Sequence, residues 1–527
     1  MTSSRPWERD PITEPQDPLE VTPLGTMILP DRRILESATN RFFDSVLSCI
    51  WPLPDQVLFQ KTMDVAYGDQ NDSPSRKHTA RICVWTTWAF ISTFPDISMD
   101  LSPKKRGEIV NSIMASINLL QQPHIELLES MSMLVVLHLN SGNIQSSILS
   151  NTVAARFVLL LGANTRECFK AACRFVSLGD EQCRRQYHLR NLFWMCYIQD
   201  KELCLRSNQP PALSEYNCDL DLPIDYQRNY NSSPLDDNCK TPVFAGDLRL
   251  NQLKSKAYCD LYSRRALEKD GTLILREIRQ LDGELEEWRM SIPMNHRPTL
   301  LFSQGTGYRA DWRNAVEPQN RMVKGDILRR SIFDEWQTHL SAFLRVMIGR
   351  RESQQTEHCV PPPLGWGSGG RQVPGSFSIR SLMMHLEYYY CMSYIHQACG
   401  RFRLVDGTQD QEVQGISSSL SLAIATCRSS LYYLLEVKHA LSPGDFWLVL
   451  FYPLSAVLTI FCNIIAHPSA PEASKDLTIM RQISAQVREL GDREGEASGC
   501  SHNTDRVWKV VTSLEALAKS TIEKHIP

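Results

Sequence analysis

The sequence predicts an all-α protein, and three observations carry that expectation. Apolar residues recur at helical spacing along nearly the whole chain. No alternating run bounded by Asn-Gly or Asp-Gly turns marks a hairpin. No self-similarity of about 34 or 40 residues suggests a solenoid. With 527 residues, 43% hydrophobic and 22% charged, the composition is that of an ordinary globular protein large enough for one big helical domain.

Residues 1–30 hold six prolines and seven charges, five of them acidic, with no apolar period. They are expected to form a disordered acidic tail ahead of one helical domain over 31–527. Helical patterns follow at 33–50 and at 77–91, where Ile82, Val84, Trp85, Trp88 and Ala89 are the apolar set. In 104–120, Ile109, Ile113 and Ile117 recur at spacings of four; 124–139 and 144–161 are two further helices.

From Arg184, Leu189, Phe193, Cys196 and Leu203 recur at spacings of four, three and seven, with Arg190, Trp194 and Lys201 on or near the opposite flank. Pro210 and Pro211 stop this helix, because each removes a backbone donor and clashes with the preceding turn. The chain then runs extended and acidic from Cys218 through Asp219 and Asp221 to Pro223. Asp200 shares a face with Phe193 and Cys196, so it is expected to be buried and paired with an arginine of a neighbouring helix, Arg166 first.

The clearest periodicity lies in 247–293. Leu250, Leu253, Ala257 and Leu261 form one stripe; Ile274, Ile278, Leu281, Leu285 and Trp288 form another, with Gly271 breaking or bending the rod and Pro293 ending it. Further helices are expected at 321–351, 376–400, 416–440, 446–466, 475–490 and 504–525. Surface loops are expected at 225–243, 299–319, 354–375, 405–414 and 491–503.

Composition and motifs exclude several functions. A net charge of −3 and a pI near 6.5 give no global sign of phosphate-backbone binding. The 16 cysteines are scattered behind a polar N-terminus without a signal sequence, so they read as small buried hydrophobes in a reducing compartment. A binuclear zinc cluster needs Cys-x2-Cys-x6-Cys halves, and no Cys-x2-Cys occurs; Cys168, Cys173 and Cys183 are the nearest approach. No metal or other cofactor is expected in this chain, and no H-E-x-x-H, G-x-S-x-G or P-loop is present. The glycines at 365–370 match G-x-G-x-x-G, but prolines flank them where a strand and a helix would have to be. Residues 446–466 are 21 without a charge, read as a buried core helix and not a membrane span because Pro453 and Asn463 interrupt them and no basic cluster flanks them. Tyr388, Tyr389, Tyr390, His385 and His396 read as core side chains before pocket lining. Lys104, Lys105 and Arg106 form a minimal basic cluster, read as a solvated helix start before a nuclear-import signal.

Arg190, Phe193-Trp194, Tyr197, Asp200, Pro210-Pro211-Ala212 and the acidic run to Pro223 resemble the signature of the fungal-specific transcription factor domain, the middle homology region of zinc-cluster regulators. Asn208-Gln209 stand where that family favours Gly-Arg. Upstream, Ala155-Arg156, Leu161-Gly162 and Arg166-Glu167 resemble its preceding helix end, with Ala163-Asn164 in place of Leu-His. Leu281-Asp282 through Leu285, Trp288-Arg289 and Pro293 resemble a later motif, as do Pro468, Pro471 and Asp476 behind the apolar run. The resemblance covers about 38–490. It implies a non-enzymatic regulator of RNA polymerase II-dependent genes, such as those of a metabolic or biosynthetic cluster. The regulator would sit in the nucleus, with the cytoplasm as alternative, and would reach DNA through a partner or an N-terminal module absent here. Zinc would come only with that module; a homodimer, other transcription factors and a small-molecule effector are the implied partners. The alternative is a helical ligand-binding protein or enzyme that shares the fold.

Overall fold

The computed structural model describes residues 28–68, 72–94, 97, 101–117, 122–232, 241–300, 379–401, 410–437, 446–498 and 501–525. Among them every regular element is a helix and none is a strand, so the fold is all-α. Residues 1–27 of the expected tail, the helix at 321–351, the loop at 354–375 with its glycines, and nearly all of the loop at 299–319 lie outside the described residues.

In chain order the helices are α1 (Arg32–Phe43), α2 (Leu47–Ile50), α3 (Gln56–Tyr67), α4 (Pro74–Ile91), α5 (Pro103–Ser116), α6 (Ile125–Asn140), α7 (Ile144–Leu160), α8 (Arg166–Leu178) and α9 (Arg184–Ser207). Then come α10 (Tyr226–Ser232), α11 (Leu248–Ala257), α12 (Gly271–Ser291), α13 (Ile379–Gln397), α14 (Asp410–Val437), α15 (Phe446–Val449), α16 (Phe451–Ala466), α17 (Ala473–Ser498) and α18 (Ser501–His525). Eight of the starts have a local cause. The side chains of Asp31, Asp55, Ser73, Ser102, Asn143, Thr165, Asp247 and Asp270 each accept from free N–H groups of the first turn.

Helix α9 is central to the largest apolar core among the described residues. Its Leu192, Phe193, Trp194, Met195, Cys196 and Tyr197 are all fully buried, which no one-sided helix permits. Burying an apolar side chain of this size contributes about 2–3 kcal/mol. Arg190, Trp194 and Lys201 therefore do not occupy a solvent flank; they are 3%, 0% and 1% exposed. Helices α6, α7, α8 and α11 surround it. A second core is formed by α14, α16, α17 and α18. Helix α13 belongs to both, giving Leu382, Met383 and Leu386 to the second core and Met384, Tyr388 and Met392 to the first.

Several boundaries differ from expectation. The first expected helix is interrupted at 44–46, and α3 had no counterpart in the periodicity. Gly271 bends no rod: α11 stops at Ala257, a π turn covers Tyr258–Tyr262, and Gly271 opens α12 under the Asp270 cap. The loop expected at 225–243 contains α10. Helix α14 begins at Asp410 inside another expected loop. The loop expected at 491–503 is also largely helical, because α17 continues to Ser498 and α18 starts at Ser501. Glu, Arg and Ala favour helix, an internal Gly costs only about 1 kcal/mol, and polarity alone does not end a helix. Pro453 is the third residue of α16, and the interruption falls just before it at Leu450, because its ring has no N–H for the Val449 carbonyl four residues back. Val457, Ile460 and Ile464 of α16 are fully buried, and among the described residues no helix is long and apolar enough to cross a membrane.

Candidate functional site

The corner after α9 folds back onto its own helix. Asn208 ends α9 at φ 52° and ψ 29°, the left-handed conformation that Gly and Asn adopt most readily. Pro210 is exposed, Pro211 half-buried, and the chain behind them turns inward at Leu213. Asp200 receives that turn: its carboxylate accepts from Ala212 N at 2.8 Å and Leu213 N at 3.1 Å. It also accepts from Asn151 Nδ2 at 3.1 Å and from Lys201 Nζ at 3.0 Å. Lys201 Nζ in turn donates to the Leu213 carbonyl at 2.6 Å. Four donors on one buried carboxylate satisfy its charge, and none of them is the expected Arg166.

Arg166 points elsewhere, to Asp219 at 3.2 Å and Asp221 at 3.0 Å. Arg190 holds the same acidic run from inside. Its Nη2 donates to the carbonyl oxygens of Asp219 and Asp221 at 2.7 and 3.2 Å, while its guanidinium lies 4.5 Å from the Phe193 ring centre and 5.2 Å from that of Trp194. Asn164 completes the clasp by donating to the Asn217 carbonyl at 2.6 Å and accepting from Asp219 N at 2.9 Å. Pro223, half-buried, ends the clasped segment.

A second buried network starts two residues further along α9. Glu202 accepts from Arg206 at 2.8 Å, from Lys254 of α11 at 2.8 Å and from the Tyr452 hydroxyl of α16 at 2.7 Å. Lys254 also lies 3.2 Å from Glu387 of α13. Arg206 donates to the Leu448 carbonyl at 3.1 Å. These bonds tie α9 and α11 to the second core. Trp288 sits apart from both clusters, its indole N–H donating at 2.9 Å to Asp247, which caps α11.

The remaining chemistry-bearing groups are assembled for packing. Cys83 Sγ donates to Glu129 Oε2 at 3.2 Å, and His188 Nε2 meets Glu129 Oε1 at 2.6 Å. The carboxylate stands between thiol and imidazole, so the imidazole cannot take the thiol proton directly. Burial pushes the Cys83 thiol well above its ordinary value, and the Cys168 thiol up to about 11. Cys168 and Cys183 donate to separate acceptors, the Gln186 carbonyl and Asp180. Among the described residues no group of three His, Cys, Asp or Glu side chains could hold a metal ion. His385 stacks on Tyr433 with ring centres 4.6 Å apart, and Tyr388 and Tyr389 are buried in the larger core. Lys104 and Lys105 are exposed and Arg106 half-buried in the first turn of α5.

Two known proteins are similar to this chain. It is 25% identical over 356 residues to an ABC-transporter-regulating transcription factor of Aspergillus oryzae, an alignment covering 64% of this chain and 31% of the relative. It is 24% identical over 350 residues to the protein of the same name from Aspergillus fumigatus, covering 64% of this chain and 30% of the relative. The chain thus matches less than a third of either relative's length. No family model matches, and no solved structure matches.

Glu202, Lys254, Glu387, Asn151 and Asn164 were not anticipated. Asp247 had a signal, an aspartate directly before an apolar helical stripe. The others are single polar residues far apart in sequence, with no spacing that marks them.

Proposed function

We propose that the chain is a transcription regulator whose helical body is a regulatory module of the middle homology type, acting on RNA polymerase II-dependent genes. The observation that carries this reading is the similarity, over 64% of the chain, to two proteins named as regulators of ABC transporters. The clasp from Arg190 to Asp221 supports it, since the signature residues hold a corner in place and contribute no reacting group. DNA would be engaged through a module or partner outside the described helices, in the nucleus, with no cofactor on the helical body. A second copy of the chain or another regulator would share the site of action, and a small-molecule effector would act by preferring one conformation of the helical body.

Tethering tests this. The chain fused to a heterologous DNA-binding domain is expected to change output from a reporter carrying the cognate sites, and deletion of the gene to shift ABC-transporter transcripts. The purified chain alone is expected to give no salt-resistant mobility shift on DNA. A stable nuclear fusion that leaves the reporter at the level of the DNA-binding domain alone refutes the reading.

A further inference from the structure

Glu387 lies where α13 passes between the two cores, 4% exposed, with apolar neighbours on its own helix facing both ways. Four neighbouring helices present a charged or titratable group to it. From α11 come Lys254, 3.2 Å away, and the capping Asp247; from α9 come Glu202 and Arg206; from α16 comes Tyr452, and from α10 Tyr230. Its own helix adds Cys391 and Arg380, the latter 3.8 Å from the Tyr230 ring centre. A Cβ on Gly246, just before α11, would lie 3.5 Å from Glu387 Oε1, in ordinary contact with the carboxylate.

The two glutamates of this cluster are served unequally. Glu202 accepts from an ammonium, a guanidinium and a hydroxyl, all within 2.8 Å. Among the described residues Glu387 is served by the shared ammonium alone, 3.2 Å from an Oε2 that no well-aligned hydrogen bond reaches. Two carboxylates divided by one lysine do not both keep a full charge in a dry site, and the poorly served one takes the proton.

We propose that Glu387 is a proton-binding joint between the two cores, holding a proton on the acid side of neutrality and loosening the α11–α13–α16 seam when it releases it. Burial pushes its carboxyl up to about 7, with Lys254 opposing and Glu202 adding to the rise. Burial also works against the charge on Glu202, but Lys254 and Arg206 outweigh it and hold that carboxyl well below the usual range. An unfolded glutamate titrates near 4.5. Between that value and about 7 the folded chain keeps a proton that the unfolded chain has lost, so stability from this group falls as pH rises through the window and levels off above it. The joint stands independently of the transcriptional reading, and its test reads no transcription.

The test is infrared difference spectroscopy on the full chain with ¹³C-labelled glutamate, paired with hydrogen exchange of α13 and α16 between pH 6 and 8. A protonated glutamate band that disappears across this range is expected in the wild type and not in Glu387→Gln. After correction for intrinsic rates, the opening equilibrium of both helices is expected to rise with pH in the wild type, by at most about tenfold per unit for one proton, and to stay level in the variant. A wild type with no protonated glutamate band at pH 6 overturns the proposal, even if the variant does not fold. So does a variant that keeps the wild-type pH profile.

Discussion

Arg190 and Asp219, 29 residues apart in sequence, meet twice: one guanidinium nitrogen lies 2.7 Å from the Asp219 carbonyl oxygen and 3.1 Å from its carboxylate. The contact closes the excursion that begins at Asn208, so the acidic run is fixed to the helix it left. Arg190→Ala leaves buried acceptors without donors and is expected to lower stability by about 3–5 kcal/mol in urea titration. Arg190→Lys should recover only part of that, since a point ammonium cannot serve both carbonyls and stack on Phe193. Full recovery by lysine would argue against the fork geometry.

Asp200 and Arg166 make a contrast within one denaturation series. Asp200→Ala strands the Lys201 ammonium and the Ala212 and Leu213 N–H groups, at a cost of about 3–5 kcal/mol. Arg166 is 60% exposed, so Arg166→Ala is expected to cost less than about 1 kcal/mol despite its two ion pairs. Equal losses at the two sites would contradict this arrangement.

Asn208 has positive φ at the end of α9. Asn208→Gly should leave the melting temperature nearly unchanged, whereas Asn208→Val is expected to cost about 1–2 kcal/mol because a branched Cβ crowds the following carbonyl. A valine variant as stable as the wild type would show that the corner relaxes to another conformation.

His385 supplies a pH dependence of opposite sign to that of Glu387. Burial against α14 pushes its pKa down to about 4, the Ser381 carbonyl opposing. From about 6.5 down to 4 the unfolded chain takes up a proton that the folded chain refuses. The stability from this group is therefore present above pH 6.5 and lost as pH falls through the window. Comparing melting temperatures of wild type and His385→Phe across that range should show the wild type losing more on acidification. Parallel curves would exclude the histidine as the source.

Lys104 and Lys105 stand at the start of α5, where the helix dipole disfavours positive charge. Replacing both with glutamate is expected to raise stability by up to about 1 kcal/mol per residue at low salt, the upper range for a helix terminus. A reading of the cluster as an import signal predicts that the same variant leaves the nucleus. Unaltered localisation with raised stability would mark it as a solvated helix start.

How much of this was legible depends on whether a residue's neighbours are local. The stripe Ile274, Ile278, Leu281, Leu285 and Trp288 is buried as its spacing implied, because a helix face is set within a few turns. The corner at Pro210-Pro211 was equally visible, since proline chemistry is local. Asp200 was rightly read as buried and paired, but its partners are the next residue, two peptide N–H groups of the corner and Asn151, none marked by spacing. Glu202, Lys254 and Glu387 converge from three helices, and only the packing of those helices makes them one cluster. Helix α9 reads as a core element from its apolar spacing and proline stop, but the carbonyls that close over its arginine and lysine come from beyond the corner.

The burial of α9 on every side has a consequence for genetics. Lesions recovered between His188 and Ser207 should behave as thermolabile alleles: null when cells are warm, rescued on cooling or by raised chaperone levels, with protein abundance falling in step with phenotype. Alleles that keep normal abundance yet lose function should map elsewhere in the gene.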